Sequence, residues 1–355
     1  GPHPAEEAGV KRALRIAAVA AGWLAAAGVT GWCAMAIAWS PSGPSLLTAA
    51  GACAFACAVA WTAAGPVPRF IRHRAVRSAA VAAAWASVIA WFLRVPAPAD
   101  GDWKPDVAQP ASFRIDGDLV TVSGIRNFRY GASDEDIRPA WDERTYDLRA
   151  LRTLDLFFSF WGPRLICHNF VSFGFERADG SMEQLAVSIE VRKRRGQEYS
   201  AIGGLFRQFP LAYVWADERD VVRVRTNFRG ERVHRYRVAS SPENLRILFE
   251  RYAIDTVELA RHPRWYNAVT QNCGIDILRT AWGSGVPTFP GPGLLLNGTW
   301  ERQAWEDGRI APELPWTATL DMADITPLAI TASDEEFSRA IRSRDIVLEA
   351  SRSLR

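Results

Sequence analysis

The hydrophobic pattern of the chain changes character near residue 100. From Ile16 to Pro68, 53 consecutive residues contain no Asp, Glu, Lys or Arg. A bilayer's hydrocarbon core takes roughly 20 apolar residues per helix, so this run holds two, divided at SPSGPS (Ser40 to Ser45). The pattern predicts membrane helices over about 13–39, 45–64 and 75–95. The third has 16 uncharged residues in its middle and spans if Arg77 and Arg94 snorkel to the interfaces. A cleaved signal peptide is the alternative for the first segment, but its apolar length exceeds a signal core and two more spans follow.

From Ala111 onward the period shortens to strand-like alternation. SFRIDGDLVTVSGI predicts a hairpin turned at Asp116-Gly117-Asp118. RLICHNFVSFGF and EQLAVSIEVRK form a second pair, and DVVRVRTNF with ERVHRYRV a third, turned near Arg229-Gly230. DLRALRTLDLFFSFW (Asp147 to Trp161) is apolar at helical spacing, with Phe157, Phe158 and Trp161 as candidate lipid contacts. A long helix is expected from Ser240 or Ser241, with Glu243 as capping partner, a shorter one from Asn272-Cys273, and a terminal one around Asp334 to Ser351. The expected class is α+β: a tail over 1–12, whose Gly1 and Pro2 read as a cleavage scar, an anchor over 13–96, a stiff Pro-rich linker over 97–112 and an exported domain over 113–355.

Charge orients these parts. Residues 1–99 hold eight basic and two acidic residues, a balance of +6, and the remainder 34 basic and 37 acidic, or −3. The overall +3 and mean hydropathy of −0.07 therefore describe neither part. Lys11, Arg12 and Arg15 precede the first span and RFIRHRAVR (Arg69 to Arg77) separates the second from the third. The positive-inside rule makes both cytoplasmic, and three spans then deliver the domain to the far side of the membrane. A net-negative exported domain disfavours nucleic acid as partner.

Chemistry narrows quickly. Cys33, Cys53 and Cys57 fall inside spans, leaving Cys167 and Cys273, while His168 and His234 are the histidines within the domain's strands. No metal-ligand spacing or phosphate loop is present, so neither metal nor cofactor is expected. Cys273 at a helix start gains thiolate character from the dipole, and His168 on a strand supplies a base. Its own N–H with Gln271 or Asn272 is a candidate oxyanion hole. A hairpin centred on Ala178-Asp179 places Glu190 opposite 167 or 168, where it either orients the imidazole or faces solvent; Ser188, of the same parity, is the reserve. Neighbouring strand residues point apart, so Cys167 is expected to face away from Cys273, a disulfide between them being the alternative. Arg223, Arg225, Arg235 and Arg237 form a period-two patch, either solvated or meeting lipid phosphates. The Asn297-Gly-Thr sequon carries little weight.

RNFRYG, YDLRALRTLDLFFSFWGPRLICHNFVSFGF, LAVSIEVRKRRGQEYSAIGGLFRQFPLAYVWADERDVVRVRTN and RWYNAVTQNC resemble the Lnb family of bacterial lipoprotein N-acyltransferases. The resemblance implies a circularly permuted papain-like domain in which His168, Cys273 and Glu190 are the catalytic residues. It implies transfer of an acyl chain from a phospholipid, through a thioester, to the α-amine of a diacylated lipoprotein. Cys167, Asn169 and NCGID depart from the family's usual AHT and NCTT. A phospholipid hydrolase or amidase using the same thiol is one alternative, and a non-catalytic lipid-binding membrane module is another. PGPGLLLNGTW (Pro290 to Trp300) is a candidate acyl-channel lining.

Overall fold

The computed structural model describes residues 4–39, 45–64, 73–286, 296–311 and 313–348. The loop at 40–44, most of the basic loop before Arg74, and residues 290–295 of the candidate channel lining lie outside the described residues. The chain divides into two units, residues 1–96 with 200–208, and residues 97–199 with 209–355.

The first unit contains α1 (Pro4–Trp39), α2 (Leu46–Ala64) and α3 (Arg74–Arg94). All three are long and apolar enough to cross a membrane. Small residues dominate them, which lets the backbones approach closely. Trp85 Nε1 donates to Thr30 Oγ1 at 3.1 Å, tying α3 to α1 by a polar contact. Arg77 Nε donates to the Thr62 carbonyl at 2.7 Å, so this arginine also satisfies an orphan acceptor at the end of α2.

Residues 200–208 join this unit from far along the chain, a feature the hydrophobic pattern does not announce. Leu205 and Phe206 pack with Met35, Ala36, Trp39, Val88 and Phe92. The Arg207 guanidinium lies 4.7 Å over the Phe92 ring and donates to the Val95 carbonyl at 2.8 Å. Gln208 donates to the Trp39 carbonyl.

The second unit opens with a short helix, α4 (Pro105–Ala108), and is built on a nine-stranded sheet among the described residues. Its strands are β1 (Ser112–Asp116), β2 (Leu119–Arg126), β3 (Trp141–Asp147), β4 (Leu151–Phe160), β5 (His168–Glu176), β6 (Met182–Val191), β7 (Leu211–Asp217), β8 (Arg232–Val238) and β9 (Val347–Leu348). Their order is β1-β2-β7-β6-β5-β4-β8-β9, with β3 also paired to β2. The helical turn at 201–205 is α5 (Ala201–Leu205), followed in the sheet unit by α6 (Glu218–Arg223), α7 (Pro242–Arg261), α8 (Cys273–Ala281) and α9 (Trp300–Glu306). α7 and α8 cover one sheet face through Leu248, Phe249, Tyr252 and Ile277. On the other face Phe157 and Phe170 pack against Val221, Ile325 and Phe337.

The first two expected hairpins form. Gly117, at φ +60°, makes the tight turn between β1 and β2. In β5 and β6 the pairing Phe170↔Ser188 through Glu176↔Met182 sets the register that puts Glu190 opposite His168. α7 starts where expected, capped by Ser241 accepting from Asn244 N–H, not through Glu243.

Three expectations change. Residues 151–160 form β4, not a helix; Phe158 is buried under one face and Phe157 under the other. A strand covered on both sides is apolar without alternation, which periodicity cannot tell from a helix. The Arg-rich hairpin does not form: α6 and a π turn at Val224–Phe228 occupy its first half, and β8 pairs with β4 instead. Asp217 caps α6, and buried Asp220 accepts from Arg126, Tyr130 and the Phe128 N–H, which explains RNFRYG as a clamp on that helix. The terminal helix reduces to a turn at Phe337–Ala340, then β9, with 349–351 outside the described residues. Arg235 holds the turn that leads into β9 by donating to the carbonyls of Ile341 and Arg344.

The linker does not stand free over 97–112. Trp103 is buried with the Arg192 guanidinium 4.6 Å over its ring, and Arg192 also donates to the carbonyls of Val107 and Ala108. The basic run at 192–196 thus serves, through its first residue, to dock the linker onto the sheet unit.

Candidate active site

The site assembles from strand starts and one helix start. His168 is the first residue of β5, Ser188 and Glu190 lie on β6, and Cys273 is the first residue of α8. The β5–β6 register brings the first three onto one face, where His168 Nε2 is 2.8 Å from Ser188 Oγ and 3.3 Å from Glu190 Oε1. Ser188 Oγ donates to Glu190 Oε1 at 2.7 Å, so it accepts from the imidazole N–H. Both the expected acid and its reserve therefore take part, in series. With Nε2 engaged, Nδ1 is the nitrogen that remains for the Cys273 thiol, which feels the charge of the imidazole.

Arg225 completes the set from the π turn. Its Nη2 donates to Glu190 Oε1 at 2.7 Å and to Ser188 Oγ at 3.2 Å, while its guanidinium stacks 4.7 Å over Phe170. It is 1% exposed, so it is no lipid contact. The spacing reading placed it on a strand and so gave no signal of this role.

Electrostatics favour charge separation. Burial raises the Cys273 thiol, but the His168 imidazolium beside it and the Asn169 N–H carry it below its ordinary value. Burial lowers His168, yet the Glu190 carboxylate and the Cys273 thiolate lift it to about 9. Burial opposes ionisation of Glu190 too, and His168 with Arg225 hold it well below the usual carboxylate range. Thiolate, imidazolium, carboxylate and guanidinium form a row of alternating sign. A thiol lowered in this way gains thiolate character.

Asn272 caps α8: its Oδ1 accepts from the Ile275 N–H at 3.0 Å and its Nδ2 donates to the Ala268 carbonyl at 3.1 Å. These two bonds tie the Asn272 side chain to the helix start and to the preceding turn. The first-turn N–H groups of α8, Cys273 among them, point out of the helix start without intrahelical acceptors, and Gln271 pairs through its backbone with Asn267 beside them.

Cys167 does not face away from Cys273. Both belong to the same buried cluster, and Cys273 Sγ lies 4.0 Å from the Cys167 carbonyl. Alternation does extend to residue 167, which shares the face of Val171 and Phe173 that α8 covers, while His168 stacks with Phe170 on the other; Cys273, at the start of α8, belongs with the first set. Both thiols are free, and burial, then the neighbouring Cys273, push Cys167 well above its ordinary value.

The remaining candidates are elsewhere. Phe157 and Phe158 are buried, and Trp161 alone of the aromatic candidates is exposed, at 57%. Arg223 pairs with Asp334, and Arg235 and Arg237 with Asp155, so charges assigned to lipid are neutralised inside the protein. His234 is buried with Nδ1 2.7 Å from Glu301 Oε1.

These features define a mixed α+β protein with three helices suited to a membrane and a thiol, an imidazole and a carboxylate gathered at a helix N-terminus. Residues 138–291 match the Lnb N-terminal periplasmic domain, which supports the Lnb family and contains His168, Ser188, Glu190, Arg225 and Cys273. No curated protein and no solved structure matches the chain.

Proposed function

We propose that this chain is a lipoprotein N-acyltransferase of the bacterial inner membrane, with its amino terminus cytoplasmic and its sheet unit periplasmic. The observation that carries the reading is the Cys273 thiol, lowered by His168 and backed by Ser188 and Glu190 at the start of α8. The order of a strand histidine before a helix cysteine supports a circularly permuted papain-like arrangement.

In the first half-reaction the Cys273 thiolate attacks an ester carbonyl of a phospholipid. The carbon–oxygen bond breaks, the imidazolium Nδ1–H protonates the departing lysophospholipid oxygen, and a thioester remains. The Cys273 N–H and the Gln271 side chain are the candidate donors to the developing oxyanion. In the second, the α-amine of a diacylglyceryl-cysteine attacks the thioester and gives its proton to His168. The carbon–sulfur bond breaks, leaving an amide and restoring the thiolate–imidazolium pair. Electrons and protons balance with no cofactor.

The test is mass spectrometry of a diacylated lipopeptide incubated with the full chain and phospholipid vesicles. The expected result is gain of one acyl mass, lost in Cys273→Ala and His168→Ala and kept in Cys167→Ala. Free fatty acid without acylated lipopeptide would replace the transferase by a hydrolase. Function surviving Cys273→Ala would leave a lipid-binding module.

A further inference from the structure

Beyond the matched region, residues 297–301 read Asn-Gly-Thr-Trp-Glu, and they grip both halves of the site. Asn297 is buried, and its Oδ1 accepts from the Cys167 N–H at 3.0 Å. Its Nδ2 donates to the Cys167 carbonyl and to Asn169 Oδ1, each at 2.7 Å, and lies 3.8 Å from Cys273 Sγ. The β4 ladder ends at Ser159↔His168. One residue before it, the Asn297 amide supplies the acceptor and donor that a neighbouring strand's peptide would, so a side chain extends the ladder by one position.

The next residues fit the same arrangement. Gly298 donates to the Leu165 carbonyl at 3.2 Å, and a Cβ there would overlap the Arg164 carbonyl and come within 2.9 Å of Ile166 N. Trp300 is fully buried, its ring 2.9 Å from where a Cβ on Gly274 would stand, directly after the nucleophile. Glu301 holds Arg164 at 2.9 Å and Tyr236 at 2.8 Å.

We infer that Asn297–Trp300 is a clamp that fixes the His168 strand against the Cys273 helix, with Asn297 as a positioning residue for the thiol–imidazole pair. The inference rests on the thiol reading proposed above. Asn297 acts on both residues flanking His168 and on the sulfur, whereas Trp300 sets the height of the α8 start. A misplacement of about 1 Å at such a pair costs on the order of a hundredfold in rate.

The experiment follows alkylation of Cys273 by iodoacetamide across pH in the full chain in detergent, read on the Cys273 peptide. Wild type should show a midpoint below about 8.5, the free-thiol value. Asn297→Ala should raise the midpoint by about one pH unit or more, roughly a tenfold loss of thiolate at pH values below both midpoints. Asn297→Asp, nearly isosteric, keeps the acceptor, loses both donors and adds a negative charge, and should raise the midpoint further. In the lipopeptide assay kcat should fall in both variants with KM little changed. If Asn297→Ala fails to fold, the Asp variant decides. A folded variant with the wild-type midpoint and kcat overturns the clamp while leaving the thiol reading intact. A wild-type midpoint at or above the free-thiol value removes the thiol reading itself.

Discussion

Glu190 accepts from Ser188 and Arg225 and faces the imidazolium, so its charge sets the range in which His168 stays protonated. Below about 9 the imidazolium can protonate a leaving oxygen; above it acyl transfer should fall. The charge of His168 likewise contributes stability that is full below its unfolded value of ~6.5 and lost as pH rises through about 9. Glu190→Gln should move the upper limb of the transfer profile down by about one pH unit or more, measured on the lipopeptide. It should also cost roughly 3–5 kcal/mol in thermal unfolding, because Arg225 is left buried without its counter-charge. Glu190→Gln with Arg225→Met should recover much of that stability but not the upper limb. Glu190 was legible because a two-residue period and a turn fix which residues oppose each other. Arg225 and Asn297 were not, since each reaches the site from an irregular segment, a π turn and a loop, where spacing carries no orientation.

At the scale of elements, α8 shows how a local signal can hold. Asn272 before an apolar-periodic run marks a helix start, and its Oδ1 makes the cap while its Nδ2 donates to Ala268. Asn272→Ala should therefore lower stability by about 1 kcal/mol in thermal unfolding, and Asn272→Asp should keep the cap while raising the Cys273 midpoint through its added charge. β4 and α6 mark where reading stops. β4 is buried on both faces, so its pattern has no period, and α6 is held by Asp220 meeting Arg126 and Tyr130, partners about 90 residues away. The hairpins β1–β2 and β5–β6 needed no such distant information.

Across the molecule, the split of charge near residue 100 located the helical unit and the sheet unit, but not the chain's return at Ser200–Gln208. That segment is short, and its Leu205 and Phe206 acquire meaning only against Met35, Trp39 and Phe92. In nanodiscs wild-type protein should resist trypsin at Arg207, and Leu205→Ser with Phe206→Ser should speed that cleavage at least about tenfold, as loss of packing favours local opening. The spacing of the site along the chain has a further consequence for biosynthesis. On the topology proposed above, His168 would emerge first and could pair within its hairpin, with Cys273 105 residues later and Asn297 another 24 after that. A nascent chain would then carry its thiol without the Asn297 contacts until 129 residues beyond His168 had followed. On the function proposed above, the nucleophile would be armed only late in synthesis, and a chain released before Asn297 would lack the clamp on its thiol.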